Sequence, residues 1–184
     1  VMVLCDTHDD PELQDEYLRE MRAQQARAIV LLGAVDSPLL PVVRAGATPL
    51  IFVNRVDPGA ADSAFVGIDN AAAGRDVATH ALSRGLIRPV VIHAPLTSSA
   101  TRGRVEAILK VYAEAGHAIA PERQLGPRAR DHLAIGFTAV RQIMASGVAC
   151  DGLLCTGDLI AFGAHRALRE TSGGAALPPI YGFD

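Results

Sequence analysis

Tryptophan is absent from this chain, and the aromatic residues together make up only 4% of its 184 residues. Ala, Val, Leu and Ile must therefore fill whatever core it builds. Lysine is almost missing too, with Lys110 standing alone. There is no surplus of positive charge, since the formal net charge is -3. Nucleic acid thus finds no electrostatic footprint on this segment, and any DNA-contacting part is expected outside it. No apolar run approaches the ~20 residues of a membrane span; "AIVLLGAV" is among the longest. No basic–apolar–small leader opens the sequence, so export is not signalled and a cytoplasmic location is expected.

Enzyme motifs are scarce as well. No G-x-G-x-x-G follows a strand-like run, and neither a G-x-x-x-x-G-K-[ST] loop nor a G-x-S-x-G elbow occurs. The six histidines are scattered, without an H-E-x-x-H pair. No nucleophile–base pair is visible, so the chain is not expected to be an enzyme or to carry a cofactor. Cys5, Cys150 and Cys155 are odd in number and lie in or beside apolar runs. They read as reduced, buried thiols rather than as disulfides or metal ligands. The acidic cluster "DTHDDPE" around His8 lacks metal-ligand spacing and reads as a helix start.

What is present is a folding composition, with 49% apolar and 20% charged residues, enough for one large domain or two small ones. Short apolar runs alternate with helical patterns along the chain. "VMVLC", "AIVLLGA", "PLIFVN", "FVGID", "PVVIHA", "RQLG", "GLLCT" and "PPIYGF" read as strands. Between them lie helices opened by Asp10 with Pro11, by Asn70 and by Asp158, and one over 101–115. A further helix carries Ile135, Ala139, Ile143 and Met144 on its apolar face. Alternation of this kind means parallel sheets with helices on both faces. It breaks at 55–64, which predicts two such Rossmann-like sheets. The division expected is residues 1–58, a crossover over 59–65, and 66–184. Val1 and Asp184 fall within or against strand-like runs, so the chain is read as a segment of a longer protein, incomplete at both ends.

Ligands of open parallel sheets bind beyond the carboxyl ends of the strands, where loops converge and helix N-termini offer N–H donors. That rule selects Asp6, Asn54, Asp69, the loop "TSSATRGRV", Asp158 and Asp184. Two arginines stand in that loop. Arg102 fits a solvated helix face as well as it fits function, while Arg104 stands on the first helical turn next to Val105. Asp69, Asn70 and Asp158 are first of all helix caps. Guanidinium forks and carboxylates suit a small, hydroxyl-rich molecule held without chemistry.

Six blocks in order carry a family likeness: "DDPELQDEYLREMRAQQARAIVLLGA", "PLIFVNR", "FVGIDNAAAGRDVATHALSRG", "SATRGRVEAILKVYAEAG", "LLCTGDLIAFGAHRAL" and "PIYGFD". The chain resembles the regulatory half of LacI/GalR-type bacterial transcription regulators over nearly its whole length. The resemblance implies a type I periplasmic-binding-protein-like fold, with two α/β subdomains and an effector cleft between them. It implies a small polar effector, sugar or related, whose binding changes the operator affinity of a homodimer through a helix-turn-helix absent from this chain. By position, Arg104 matches the arginine that grips effector hydroxyls or a carboxylate, Asp184 the acid after "GF" or "GY", and Asn54 the polar residue ending the "IF" strand. Asp6 and Asp131 lie on segments bordering the cleft, and Phe162 and His165 near a dimer seam. Gly157 stands where sugar-binding relatives often have Asn, and Ala107 where glycine is common. No aromatic platform accompanies Arg128, Arg130 and Asp131, which points to a smaller or more polar effector than a pyranose. The alternative is a solute-binding protein of a transport system, separable by whether a helix-turn-helix is encoded upstream.

Overall fold

The structure, a computed structural model, describes residues 2–60, 62–129, 131–171 and 176–183. The chain divides into two compact units, Val1–Ile68 with Thr97–Ala100, and Asp69–Leu96 with Thr101–Asp184. Arg130 and Asp184, both singled out by the sequence, lie outside the described residues.

The N-terminal unit is a three-stranded parallel sheet in the order β1-β2-β3, from Ile29–Leu32, Leu50–Val53 and Phe65–Val66. Phe65–Val66, assigned by sequence to the end of the crossover and the start of the second subdomain, pairs instead with β2. Helix α1 (Pro11–Ala23) begins as expected, with the Asp10 carboxylate accepting from the Glu12 and Leu13 N–H groups and Pro11 at the first helical position. Helix α2 (Leu40–Arg44) follows β1. Leu18 of α1 and Leu40 and Val43 of α2 close over Ile29 and Phe52. Phe52 is fully buried, worth about 2–3 kcal/mol of apolar transfer.

The run "VMVLC" corrects the sequence reading, because Met2–Cys5 forms no strand and Met2 and Leu4 are exposed. A strand is a pairing and not only a composition, and no described strand pairs with this run.

In the C-terminal unit the order is β5-β4-β6-β7, all parallel, from Gln124–Leu125, Val90–Ile92, Leu153–Cys155 and Ile180–Tyr181. Alternation along the strands sorts the core into two layers. Val91 and Leu154, paired in register, face helices α3 (Asn70–Ser83) and α4 (Ser99–Glu114). Val90, Ile92, Leu153 and Cys155 face α5 (His132–Ser146) and α6 (Asp158–Thr171). Helix α4 starts two residues earlier than the sequence pattern suggested, and Asp69, not Asn70, caps α3. On α5, Val140 takes the inward place expected of Met144, which is 49% exposed. Helices α5 and α6 cross at Gly136 and Gly163, where any Cβ would run into the Ile160 and Leu133 carbonyls.

Candidate functional site

Arg104 is built into the C-terminal unit from three directions. It lies in the second turn of α4, and α4, α5 and α6 follow β4, β5 and β6, so all three helices begin at the carboxyl edge of the sheet. The residue is buried, only 9% exposed. Nε donates to the Asn70 Oδ1 at 2.7 Å, and Nη1 donates to the Thr156 carbonyl at 2.8 Å. The Phe183 ring lies beneath, with its centroid 4.8 Å from Cζ. Burial lowers the Arg104 pKa, though a guanidinium stays charged at any physiological pH.

The sequence places each of these partners. Asn70 is the first residue of α3, and Asp69 takes over the cap by accepting the Ala72 N–H, which leaves the Asn70 side chain to turn toward α4. Gly74 lies one turn on, on the same face. A Cβ at Gly74 would meet the Arg104 carbonyl oxygen at 2.6 Å, so glycine is what lets α3 lie against α4 there. Thr156, just past β6, ties the strand ends together: its N–H donates to the Ile92 carbonyl and its Oγ1 accepts the Ala94 N–H. Asn70, Thr156 and Phe183 were not singled out as site residues by the sequence. The signals were a second polar residue after a sufficient cap, and an aromatic beside an expected ligand.

The other expected residues are distributed as follows. Asp131 caps α5, its Oδ2 accepting the Ala134 N–H at 3.0 Å. Asp158 opens α6, and its N–H donates to the Phe183 carbonyl at 2.8 Å. Arg102 is exposed, with one long contact of 3.4 Å to the Leu96 carbonyl. Arg128 is exposed, Ala107 packs against the Gly74 backbone, and Gly157 approaches the Phe183 carbonyl. On α6, Phe162 is 63% exposed and His165 is also exposed.

Within the N-terminal unit, Asn54 ends β2 in the left-handed region at φ 68°, with its N–H on the Val66 carbonyl. Asparagine is one of the few side chains that tolerates that conformation. Asp6 is exposed and accepts the His8 N–H at 3.0 Å. Asp9, expected only as part of a helix start, forms a two-pronged pair with Arg55, both contacts at 2.9 Å. Arg55 also donates to the Gly33 carbonyl at 3.0 Å, so the ends of β1 and β2 and the turn before α1 are joined. His93 is buried as the sequence predicts, with Nδ1 2.8 Å from the Ala94 carbonyl. Among the described residues no three His, Cys, Asp or Glu side chains gather as a metal site, and no helix is long and apolar enough to cross a membrane.

The family model for the periplasmic binding protein domain matches residues 1–184. Solved structures share the fold at low identity. The transcription regulator GntR from Chromobacterium violaceum is 23% identical with a TM-score of 0.82, over 100% of this chain and 67% of that one. Transcription regulator CcpA of Lactococcus lactis is 19% identical with a TM-score of 0.84, again over 100% and 67%. A sugar-binding LacI-family regulator from Escherichia coli, complexed with phosphate, is 18% identical with a TM-score of 0.78, over 99% and 66%. This chain therefore spans about two thirds of the length of such structures. No curated protein matches it significantly. With two parallel-sheet units in place and the family model matched from end to end, the chain belongs to the periplasmic binding protein domain family, and LacI-family transcription regulators are among the solved structures it resembles.

Proposed function

We propose that this chain is the effector-sensing part of a LacI-type transcriptional regulator. It takes a small polar ligand, carbohydrate-like in its hydroxyl content, without transforming it. Arg104 and Asp184 from the C-terminal unit and Asn54 from the N-terminal unit are its principal contacts, with Asp6 and Asp131 at the border. One observation carries the reading: an arginine residue only 9% exposed, at the carboxyl edge of a parallel sheet, with no carboxylate paired to its guanidinium among the described residues. A protein seldom buries a cation for packing alone, because desolvation costs several kcal/mol.

In the full protein, ligand binding biases two states that differ in operator affinity through paired DNA-binding heads, a coupling of ~1–3 kcal/mol in typical systems. The exposed α6 face with Phe162 and His165 is the proposed homodimer seam. Phe162→Glu in the full-length protein shifts it toward monomer in sedimentation analysis; an unchanged dimer rejects that seam.

A thermal-shift screen of the full-length protein against sugars, sugar acids, polyols and purines is expected to find a stabilising ligand. Arg104→Ala weakens its binding by about tenfold or more, since a charge-assisted hydrogen bond is lost. Asp184→Ala has a comparable effect. Undiminished binding in both variants rejects the assignment.

A further inference from the structure

The amino edge of the C-terminal sheet, opposite the edge that carries Arg104, holds a cavity of about 410 Å³. Small-molecule pockets run from about 300 to 1,000 Å³, so there is room for one modest ligand. Two loops build it, residues 87–89 entering β4 and residues 116–123 between α4 and β5. Buried Pro89 and Ile119, with the partly exposed Ile87, supply its apolar lining. The polar side chains lining it are Arg88, His117 and Arg123, and among the described residues no acid lines it.

Local backbone chemistry puts each of these cations in place. Helix α4 ends in a left-handed Gly116 at φ 78°. The Gly116 N–H donates to the Ala113 carbonyl at 3.0 Å, and the His117 N–H to the Tyr112 carbonyl at 2.8 Å. That glycine cap stops the helix and turns 117–119 along the cavity. The loop before β4 is held from the β6 side, where Asp151 Oδ2 accepts the Ile87 and Arg88 N–H groups, both at 2.8 Å. Arg123 holds the same loop from the β5 side. Its Nη1 donates to the Arg88 carbonyl at 3.1 Å and to the Ala149 carbonyl at 2.6 Å. Both acceptors are neutral, so the guanidinium is fixed without losing its charge. Both hydrogens of Nη1 are engaged, while Nε and Nη2 make no hydrogen bond among the described residues.

A basic side chain just past a helix C-terminus is commonplace, because it complements the dipole. His117 alone would be no more than that. Three basic side chains converging on one preformed concave surface, one of them immobilised by backbone carbonyls, make a receptor for negative charge.

We propose that this cavity is a second ligand site, for a small molecule bearing a phosphoryl group. Its oxygens take the donors of Arg88, Arg123 and His117, and its carbon skeleton lies on Ile87, Pro89 and Ile119. A carboxylate offers two oxygens in one plane. A phosphoryl group offers three in a tetrahedral array, which suits donors arriving from two separate loops. Arg104 and this cavity lie toward opposite ends of α4, and the second site stands independently of the effector-sensing reading.

Hydrogen exchange of the full-length protein tests the proposal, with inorganic phosphate, glycerol 3-phosphate and AMP as probes and with adenosine and citrate as controls. Ionic strength is matched and low, because salt screens exposed charges. A phosphoryl probe is expected to slow exchange in peptides spanning 84–89 and 116–123. Stronger protection by AMP or glycerol 3-phosphate than by inorganic phosphate identifies an organic phosphate; equal protection identifies the free ion. Arg123 ties two loops together, so removing it would mix binding with folding. The variant is therefore Arg88→Gln with His117→Gln, two exposed residues whose replacement leaves the backbone bonds of position 88 in place. Its melting temperature without ligand stays at the wild-type value, and it binds the phosphoryl probe about tenfold or more weakly. The proposal is overturned when no phosphoryl probe protects these loops, when the double variant binds as the wild type does, or when citrate or adenosine protects them equally.

Discussion

In the C-terminal unit β4 and β6 are covered on both faces, by α3 and α4 on one side and α5 and α6 on the other, with every strand residue of β4 and β6 buried. The N-terminal sheet is covered on one face by α1 and α2, while Val30, Leu32 and Val66 stay 52%, 74% and 63% exposed. Parallel sheets are ordinarily buried on both sides. Within the residues of this chain the two units are held by different contacts. The C-terminal unit relies on apolar interdigitation and on helices close enough to require glycine. The N-terminal unit, with a smaller apolar cluster, ties its loops with polar side chains. Gln14 and Asp15, on the inward face of α1, are 2% and 4% exposed. Gln14 brackets Val35, donating to its carbonyl at 2.8 Å and accepting its N–H at 3.0 Å, and both Asp15 oxygens accept the Leu39 N–H. Arg44 clamps Asp57, whose carboxylate also accepts from Ser63 and the Gly59 N–H. One unit is sensitive to volume and the other to charge and hydrogen bonding.

The largest effect expected from that contrast is at the α5–α6 crossing. Gly136→Val drives two methyl groups and a Cβ into the backbone of α6, which cannot give way as a side chain would. A loss of about 3 kcal/mol or more is expected in the full-length protein, read by urea unfolding and by hydrogen exchange of peptides from α5 and α6. A loss under about 1 kcal/mol would mean that the helices slide apart cheaply, and the contrast would lose its volume-sensitive half.

Next in size is Arg44→Met. The Asp57 side chain is fully buried, so the variant strands a carboxylate that among the described residues retains Ser63 and the Gly59 N–H. A buried pair broken this way costs about 3–5 kcal/mol; with Arg44 26% exposed, about 2–3 is expected here. Acid should have the same target. Burial pushes the Asp57 pKa up, but Arg44, Ser63 and the Gly59 N–H outweigh it and hold the carboxyl below its ordinary value. A depressed carboxyl stabilises the fold above its unfolded-state pKa of about 4, and that stability is lost as pH falls through the folded value. Exchange protection around 40–66 should therefore fall on acidification below about pH 4, and Arg44→Met should flatten that dependence. A protection profile that ignores pH there would remove the charge-sensitive half of the contrast. Smaller again is Gln14→Leu, expected to cost about 1–2 kcal/mol by leaving the Val35 N–H and carbonyl unpaired.

What the sequence disclosed follows the same division. Local grammar was legible. Asp10 sits where a helix starts, Gly85 is left-handed at φ 81° where α3 stops, and the alternation correctly implied parallel strands in two sets. Arg104 was legible from its place just past a strand end. Its holders were not, because Asn70 and Thr156 lie 34 and 52 residues away, and each has an adequate local explanation as part of a helix start or a strand end. The burial of Gln14 and Asp15 was not legible, since it answers to backbone groups in the 35–39 loop that no helical period encodes. "VMVLC" failed for a kindred reason, as composition carries strand propensity but not a partner.

The smallest expected effect is kinetic, and it compares the units without perturbing either. Cys155 on β6 is fully buried, and burial alone pushes its thiol up to about 12. At pH 8 the folded protein then presents far less thiolate at that position than the roughly one quarter of a free cysteine. Alkylation of Cys155 must wait for opening of the C-terminal unit, so its rate measures that opening. Gly136→Val, which loosens the helix pair packed on the Cys155 face of the sheet, should accelerate the labelling by far more than Gln14→Leu does. Equal acceleration by both would show that the polar ties of α1 and the apolar crossing of α5 and α6 hold one cooperative structure, and the contrast between the units would then describe how they are built but not how they come apart.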